Sequence, residues 1–338
     1  MKKILLYIFS FGCLLVYALS LNRPFMEWWA DWRTYTLNAA YARARYGDLY
    51  SNCFLPGYMD TAYIPLTEYK YGNGTTDLYI LHDSYLEGKI KKENFIGLNK
   101  LILANYRGDG VTVKPDKTKK NILLIECAER NAEWRLTDTA TAFSQINFST
   151  AKPAIVNPET YAFADYFFNR NINQNLEFSL YDYEYFIPVK NLKAYINFSL
   201  FGRLPKDVGV STDKKYLLLN ETIDPSSATG SFTPVSLPHL EGVLFYANRI
   251  SMYYKKRGFD EVYFSIIPNP VSIVDLNRNY YNRKAELLED YTLLHPQFIS
   301  VYKAFKNCKT QVYRRDDSHW NGRGIQIWID EVNKKLNP

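Results

Sequence analysis

Two short apolar runs, each followed directly by polar residues, constrain the fold of this chain most. Residues 78–81 lead into His82-Asp83-Ser84, and residues 121–126 lead into a second polar stretch. Continuous apolar runs of this length are typical of strands that are buried on both faces. Residues 94–106, between them, have apolar side chains at helical spacing. The pattern strand, helix, strand predicts an α/β fold with a parallel sheet covered on both faces.

The same alternation returns near the C-terminus. Residues 242–256 predict a helix, and residues 262–267 predict a buried strand that ends at Pro268-Asn269-Pro270. A short strand at 310–313 is expected to lead into Asp316-Asp317-Ser318-His319, before a closing amphipathic helix at 324–335. Active sites of such sheets lie beyond the carboxyl ends of the strands. We therefore expect Ser84 and His319 to meet there.

The middle of the chain has a different pattern. Aromatic and polar residues alternate at 176–183 and again at 194–200, which predicts a β-rich insertion in the α/β core. The predicted organisation is a membrane anchor or signal segment at 1–22, a juxtamembrane lead-in at 23–73, the first half of the core at 74–145, the insertion at 146–238 and the second half of the core at 239–338.

The N-terminus predicts contact with a membrane. Lys2 and Lys3 precede an apolar run at 4–21, which is just long enough to cross a bilayer as a helix. Positive charge ahead of the run predicts a cytoplasmic N-terminus and a main domain exported to the periplasm or cell exterior. Ala18-Leu19-Ser20 resembles a cleavage site, so secretion after signal cleavage stays an alternative.

Composition argues against several classes of function. The net charge of +6 is spread without a strongly basic block, which predicts no nucleic-acid partner. The four cysteines have no zinc-type spacing with histidines, so we expect no metal site. The chemistry suggested by the remaining motifs requires no soluble cofactor.

That chemistry is nucleophilic catalysis. A serine hydroxyl is a weak nucleophile that needs an adjacent base, and the base needs a carboxylate to orient its ring. Ser84 follows a predicted strand, and His319 follows the carboxylates of Asp316 and Asp317. The turn at Ser84 also offers backbone N–H groups to a developing oxyanion. The sequence thus predicts Ser84 as nucleophile and His319 as base.

The C-terminal motif resembles two related patterns. Residues 316–319 resemble the Asp-x-x-His block of SGNH hydrolases, and residues 317–320 are similar to the Asp-x-His-Trp form of alginate O-acetyltransferase-like proteins. The first pattern assigns the orienting role to Asp316 and the second to Asp317, which the presence of Trp320 favours. Three further blocks are similar to the second group, at residues 125–130, 266–269 and 312–315.

The chain departs from these families at defined positions. The family's Gly-Asp-Ser is here His82-Asp83-Ser84, which makes His82 a candidate for substrate contact. The block that usually supplies an oxyanion asparagine reads Glu126 to Arg130, which leaves Arg130 or Asn131 as substitutes. Asn269, after the third predicted strand, is a further candidate.

The resemblance implies a three-layer SGNH-like domain that transfers an acyl group, most simply acetyl, onto or from an exported polysaccharide. It also implies a membrane-bound O-acyltransferase partner as the acyl source. Two alternatives remain from the residues. One is an esterase that uses the same triad with water as acceptor, and the other is a non-catalytic, anchored glycan-binding or scaffold protein.

Overall fold

The computed structural model describes residues 2–36, 46–69, 74–106, 111–137, 146–147, 162–168, 172–181, 183–290 and 297–337. The chain divides into two compact units. The first unit comprises Met1–Met59 and Ala154–Leu204, and the second comprises Asp60–Pro153 and Pro205–Pro338. Most of the predicted α/β core belongs to the second unit.

The strands are β1 (Thr76–His82), β2 (Leu98–Asn105), β3 (Val111–Thr112), β4 (Lys120–Ala128), β5 (Ile146–Asn147), β6 (Val208–Val210), β7 (Leu217–Leu219), β8 (Glu261–Ile267) and β9 (Gln297–Phe298). Among them, the main sheet has the order β2-β1-β4-β8-β9, and every neighbouring pair is parallel. Strand β9 adds only a two-residue edge. When the five strands of this sheet are numbered along the chain, their order is 2-1-3-4-5, which is that of a doubly wound α/β sheet. The predicted α/β class is therefore confirmed.

The helices are α1 (Lys2–Leu21), α2 (Arg23–Thr36), α3 (Asp48–Cys53), α4 (Glu129–Thr137), α5 (Ile172–Tyr181), α6 (Ile187–Phe201), α7 (Asn220–Ile223), α8 (Leu237–Lys255), α9 (Val271–Val274), α10 (Lys284–Asp290), α11 (Tyr302–Asn307) and α12 (Gly322–Leu336). Short 3-10 turns lie at Lys92–Asn94, Phe163–Tyr166, Glu184–Phe186 and Leu276–Arg278.

The main sheet is buried on both faces. Leu78 and Ile80 of β1 point into one hydrophobic core, while Tyr79 and Leu81 point into another. The first core contains residues of α12, and the second contains residues of α8. Because successive side chains of a strand alternate between its faces, a continuous apolar strand fits only between two such layers. The prediction of buried strands from the apolar runs of β1, β4 and β8 is therefore confirmed.

The helix predicted at 94–106 is wrong, because most of this segment is strand β2. Its residues pair in parallel with β1, from Thr76 with Leu98 to His82 with Asn105. Leu101 packs against one hydrophobic core and Ile102 against the other, which is the alternation of a strand. The apolar residues at helical spacing concealed this alternation, and pairing with β1 decided the conformation.

The β-rich insertion predicted at 146–238 is also wrong for the residues that the structure describes. The aromatic runs at 176–183 and 194–200 lie largely in α5 and α6. Helix α6 has Pro188 in its first turn, and Gly202 ends it in the left-handed conformation, at φ 61°. Proline at the start and glycine at the end are helix signals. Strands within the described part of this range are limited to β5 and the β6–β7 hairpin.

The strand expected at 310–313 does not join the sheet. Tyr313 instead forms a single antiparallel bridge with Trp320, which closes the loop that carries His319. The side chain of Asn321 then caps α12 by accepting the N–H groups of Arg323 and Gly324 at 2.9 and 3.1 Å. The next residue, Gly322, must be a glycine, because a Cβ there would collide with the carbonyl oxygen of Ile64. His319 therefore comes from a capped loop.

Helix α1 of the first unit is long and apolar enough to cross a membrane, by length and composition alone. A signal sequence near an N-terminus meets the same criterion. Beyond its end, the side chain of Asn22 accepts the N–H of Phe25 at 2.8 Å. This bond caps the start of α2.

Candidate active site

Ser84, His319 and Asp317 form a continuous hydrogen-bonded chain. Ser84 Oγ lies 2.9 Å from His319 Nε2, and His319 Nδ1 lies 2.6 Å from Asp317 Oδ1. Asp317 Oδ1 also accepts the backbone N–H of His319 at 2.9 Å. With the ring proton on Nδ1, the carboxylate holds that proton and leaves Nε2 free to accept one from the serine. This is the arrangement of a nucleophile, a general base and an orienting acid.

Asp316 has a different role from its neighbour. Its side chain is fully buried, and Arg314 donates to both carboxylate oxygens, from Nε at 3.0 Å and from Nη2 at 3.1 Å. The backbone N–H of Asp60 donates to the same carboxylate at 3.1 Å. These bonds anchor the loop, so the contact with His319 falls to Asp317. Of the two carboxylates that the sequence spacings left open, Asp317 is the one bonded to the imidazole.

Two reciprocal hydrogen bonds join the turn of Ser84 to the loop of His319. Tyr85 Oη donates to the carbonyl of Ser318 at 2.7 Å, and Trp320 Nε1 donates to the carbonyl of Tyr85 at 2.9 Å. Both rings are buried and meet edge to face. The bonded residues flank the nucleophile and the base, so this aromatic clamp sets their separation. The sequence signal for it was an aromatic residue directly after each catalytic candidate.

Trp320→Phe tests the aromatic clamp. We expect the free energy of unfolding to fall by about 2–4 kcal/mol, because a buried hydrogen bond and part of a buried ring are lost. Urea titration of the full chain in mild detergent measures this. The control Trp134→Phe, at a half-exposed position, should change stability by at most about 0.5 kcal/mol. Equal effects of the two substitutions would contradict the assigned role.

Asp83 ties the end of β1 to the end of β4. Its buried carboxylate accepts the N–H of Tyr85 at 3.0 Å, the N–H of Ala128 at 2.8 Å and Asn131 Nδ2 at 3.2 Å. Its own N–H donates to Glu126 Oε2 at 3.2 Å. Burial, and then the charge of Asp83, raises the pKa of Glu126 well above its ordinary value. Ser84 is thus held by a buried polar network behind it.

Arg130 and Asn131, the two residues predicted to replace the family's oxyanion asparagine, have different contacts in the structure. Asn131 lies beside Asp83, adjacent in the chain to Ser84, and uses one of its two amide protons there. The guanidinium of Arg130 donates to Tyr85 Oη at 3.2 Å and lies 3.7 Å from the carboxylate of Glu221. Arg130 therefore supports the aromatic clamp, and Asn131 is the better placed amide donor.

His82 and Asn269 are buried within local hydrogen-bond networks. His82 Nδ1 bonds the carbonyl of Asp83 at 2.7 Å. The N–H of Asn269 donates to Glu129 at 2.8 Å, and its side-chain amide donates to Ser231 at 3.0 Å. These bonds occupy Nδ1 of His82, and the backbone N–H and one amide proton of Asn269, so both residues help to hold the strand ends.

Lys89 is a half-buried cation that sequence reasoning missed. Burial lowers the pKa of Lys89, while the charges of Asp317 and Glu126 act in the opposite direction. The amine therefore lies within electrostatic reach of the carboxylate that orients His319. The only sequence signal for this proximity was the position of Lys89, five residues after Ser84 on the same turn.

Comparison with protein-family models, with curated proteins and with solved structures finds no match to this chain. Inference about its function therefore depends on the chemistry of the site. A serine hydroxyl bonded to an oriented imidazole at the carboxyl edge of a parallel sheet is equipped for acyl transfer.

Proposed function

We propose that this protein is a serine-dependent acyl-transfer enzyme with an SGNH-like domain, in which Ser84 carries the acyl group. The hydrogen-bonded chain from Ser84 through His319 to Asp317, with distances of 2.9 and 2.6 Å, carries this proposal. The position of Ser84 just after β1, in a sheet of order 2-1-3-4-5, supports it further.

The geometry supports two half-reactions. Ser84 Oγ attacks the acyl carbon as His319 Nε2 takes its proton, and the intermediate collapses when His319 returns that proton to the departing oxygen. The product of this half is acyl-Ser84 and a free alcohol. An acceptor hydroxyl then loses its proton to His319, attacks the acyl carbon and releases Ser84, which recovers the proton. Asp317 stabilises the imidazolium in both halves.

We assign two donors to the developing oxyanion. Within the part of the chain that the structure describes, the backbone N–H of Ser84 donates to no other group. The second donor is the remaining amide proton of Asn131, whose nitrogen is held by Asp83. Preorganised donors of this kind stabilise the charge that forms on the carbonyl oxygen.

Asn131→Ala tests the second donor. We expect kcat for an activated acetyl ester to fall about 10²- to 10³-fold with little change in KM, because the donor acts mainly in the transition state. Asn99→Ala is a matched control, since Asn99 donates to the carboxylate of Asp77 near the opposite end of β1. A comparable loss of kcat in both variants would assign Asn131 a purely structural role.

The proposed acyl group and acceptor follow from the resemblance of residues 317–320 to polysaccharide O-acetylation proteins. They are an acetyl group and a hydroxyl of an exported polysaccharide, with a membrane-bound O-acyltransferase as the acyl source. Helix α1, which is long and apolar enough to cross a membrane, supports an anchored protein, and the lysines ahead of it favour a main domain outside the cytoplasm. Hydrolysis by the same triad is the second candidate, and it differs only in using water as acceptor.

A serine-directed fluorophosphonate tests the proposal on the full chain. We expect covalent labelling that peptide mapping places on Ser84, because the oriented imidazole activates its hydroxyl. No label on Ser84 would overturn the catalytic proposal and favour a scaffold. With labelling established, an activated acetyl ester and an oligosaccharide acceptor separate the two enzymes. Acetylated sugar indicates a transferase, and free acetate alone indicates an esterase.

A further inference from the structure

Helix α6 of the first unit has an exposed apolar stripe. Val189, Leu192, Ile196 and Leu200 recur every three or four residues, so they share one side of the helix. Their exposed fractions are 61%, 59%, 40% and 71%, respectively. A row of exposed aliphatic side chains along a whole helix marks an interaction surface.

The opposite side of α6 packs against its own unit. The hydroxyl of Tyr50, a fully buried residue of α3, donates to Asn191 Oδ1 at 2.7 Å. The ammonium of Lys190 lies 4.5 Å from the ring centre of Phe54 and 3.6 Å from Glu177 of α5. These contacts fix the rotation of α6 about its axis, so the stripe is held outward.

The partner helix α5 is attached where the apolar helix α1 ends. Asn175 Nδ2 of α5 donates to the backbone carbonyl of Ser20 at 2.8 Å. A helix of the length of α1 spans about 30 Å, the thickness of the hydrocarbon core, so its end reaches the bilayer boundary. Ser179 of α5 also contacts the sulfur of Met26 in α2. With α1 placed across a bilayer, the bond from Asn175 to Ser20 puts the start of α5 at the level of the lipid headgroups.

The charges of α6 suit the same surroundings. Its charged side chains are Lys190 and Lys193, and it contains no Asp or Glu. Lys193 is exposed and lies beside the apolar stripe, where a long cationic side chain can reach the headgroups. Exposed Tyr185 and Phe201 lie near the two ends of the helix, and aromatic rings favour the membrane interface.

We propose that α6 lies on a membrane surface, with its apolar stripe in the acyl-chain boundary of a lipid bilayer. The partner is therefore the lipid itself, with a preference for anionic headgroups supplied by Lys193. This surface holds the first unit on the membrane at a second point besides α1. It does not depend on the proposed acyl-transfer chemistry.

Site-directed spin labelling of the full chain tests the membrane contact of the α6 stripe without interference from α1. Cys13→Ser and Cys308→Ser remove the more accessible thiols, while Cys53 and Cys127 are buried and have a raised pKa that keeps them unreactive. Labels are placed at Leu192→Cys and, separately, at Ile196→Cys, with Lys117→Cys as an exposed control. The protein is reconstituted into vesicles of phosphatidylcholine and phosphatidylglycerol.

Collision rates with oxygen and with a water-soluble nickel complex are then measured. We expect both stripe labels to collide readily with oxygen, and with nickel at least about tenfold less than the Lys117 label, because polar solutes are excluded from hydrocarbon. Nickel accessibility equal to that of the control would overturn the proposal. Protection from both reagents would also overturn it, since it would mean that protein covers the stripe. Circular dichroism checks that each variant keeps its helices.

Discussion

Ser84→Ala and His319→Ala are each expected to lower kcat for hydrolysis of a small activated acetyl ester about 10⁴- to 10⁶-fold, to a similar residual rate. The reason is that the two side chains act as one unit, joined at 2.9 Å. Removing the nucleophile or the base disables the same step. A double variant should therefore be no slower than either single variant, because the losses are not additive.

The controls are the same substitutions at exposed positions outside the site. Ser226 lies on the surface and donates to Asp224 at 2.7 Å, and Nε2 of the partly exposed His239 lies 3.0 Å from the carboxylate of Glu133. Ser226→Ala and His239→Ala should retain wild-type kcat. If Ser84→Ala keeps activity while phosphonate labelling is absent, the measured hydrolysis comes from elsewhere and the triad is not catalytic.

Asp317→Asn is expected to lower kcat about 10⁴-fold with little change in stability. An asparagine amide donates where the carboxylate accepted, so His319 must present an unprotonated Nδ1 to it. The ring proton then lies on Nε2, which can no longer accept the proton of Ser84. The pH-rate profile and kcat of the full chain, measured with the same ester, report this loss.

Asp316→Asn is the matched variant at the adjacent position, and it should show the reverse pattern. We expect kcat to stay within about threefold of wild type, since His319 keeps its carboxylate. The free energy of unfolding should fall by about 1.5–3 kcal/mol, because the charge-assisted bonds from Arg314 are weakened in a fully buried position. If Asp316→Asn loses most of its kcat while Asp317→Asn stays active, Asp316 and not Asp317 is the residue that orients His319.

The local pattern of apolar residues predicted the secondary structure correctly where the burial of a segment matches its conformation. Strands β1, β4 and β8 are buried on both faces, so their residues form continuous apolar runs that can be read without the structure. Helix α12 was also predicted, because its apolar residues keep one face toward the sheet. The polar residues after β1 and β4 then indicated the correct edge of the sheet.

Local pattern failed where tertiary contacts overrode it. Strand β2 has helical spacing of its apolar residues, yet pairing with β1 makes it a strand. The aromatic residues of α5 and α6 alternate as in a strand, yet both segments are helical. Over the short ranges 176–183 and 194–200 the alternating rings hid the helical period, which in α6 shows only over the longer span from Val189 to Leu200.

The sequence by itself determined the α/β class, the apolar N-terminal helix and the identities of the candidate nucleophile and base, because these depend on local composition and spacing. Only the tertiary structure decided that Asp317 and not Asp316 orients His319. Both carboxylates precede the histidine closely, but only Asp317 bonds the imidazole, while Arg314 lies 3.0 Å from Asp316 and 4.0 Å from Asp317. Contact between Ser84 and His319 depends in turn on the main sheet and the aromatic clamp, which bring together residues that lie 235 positions apart.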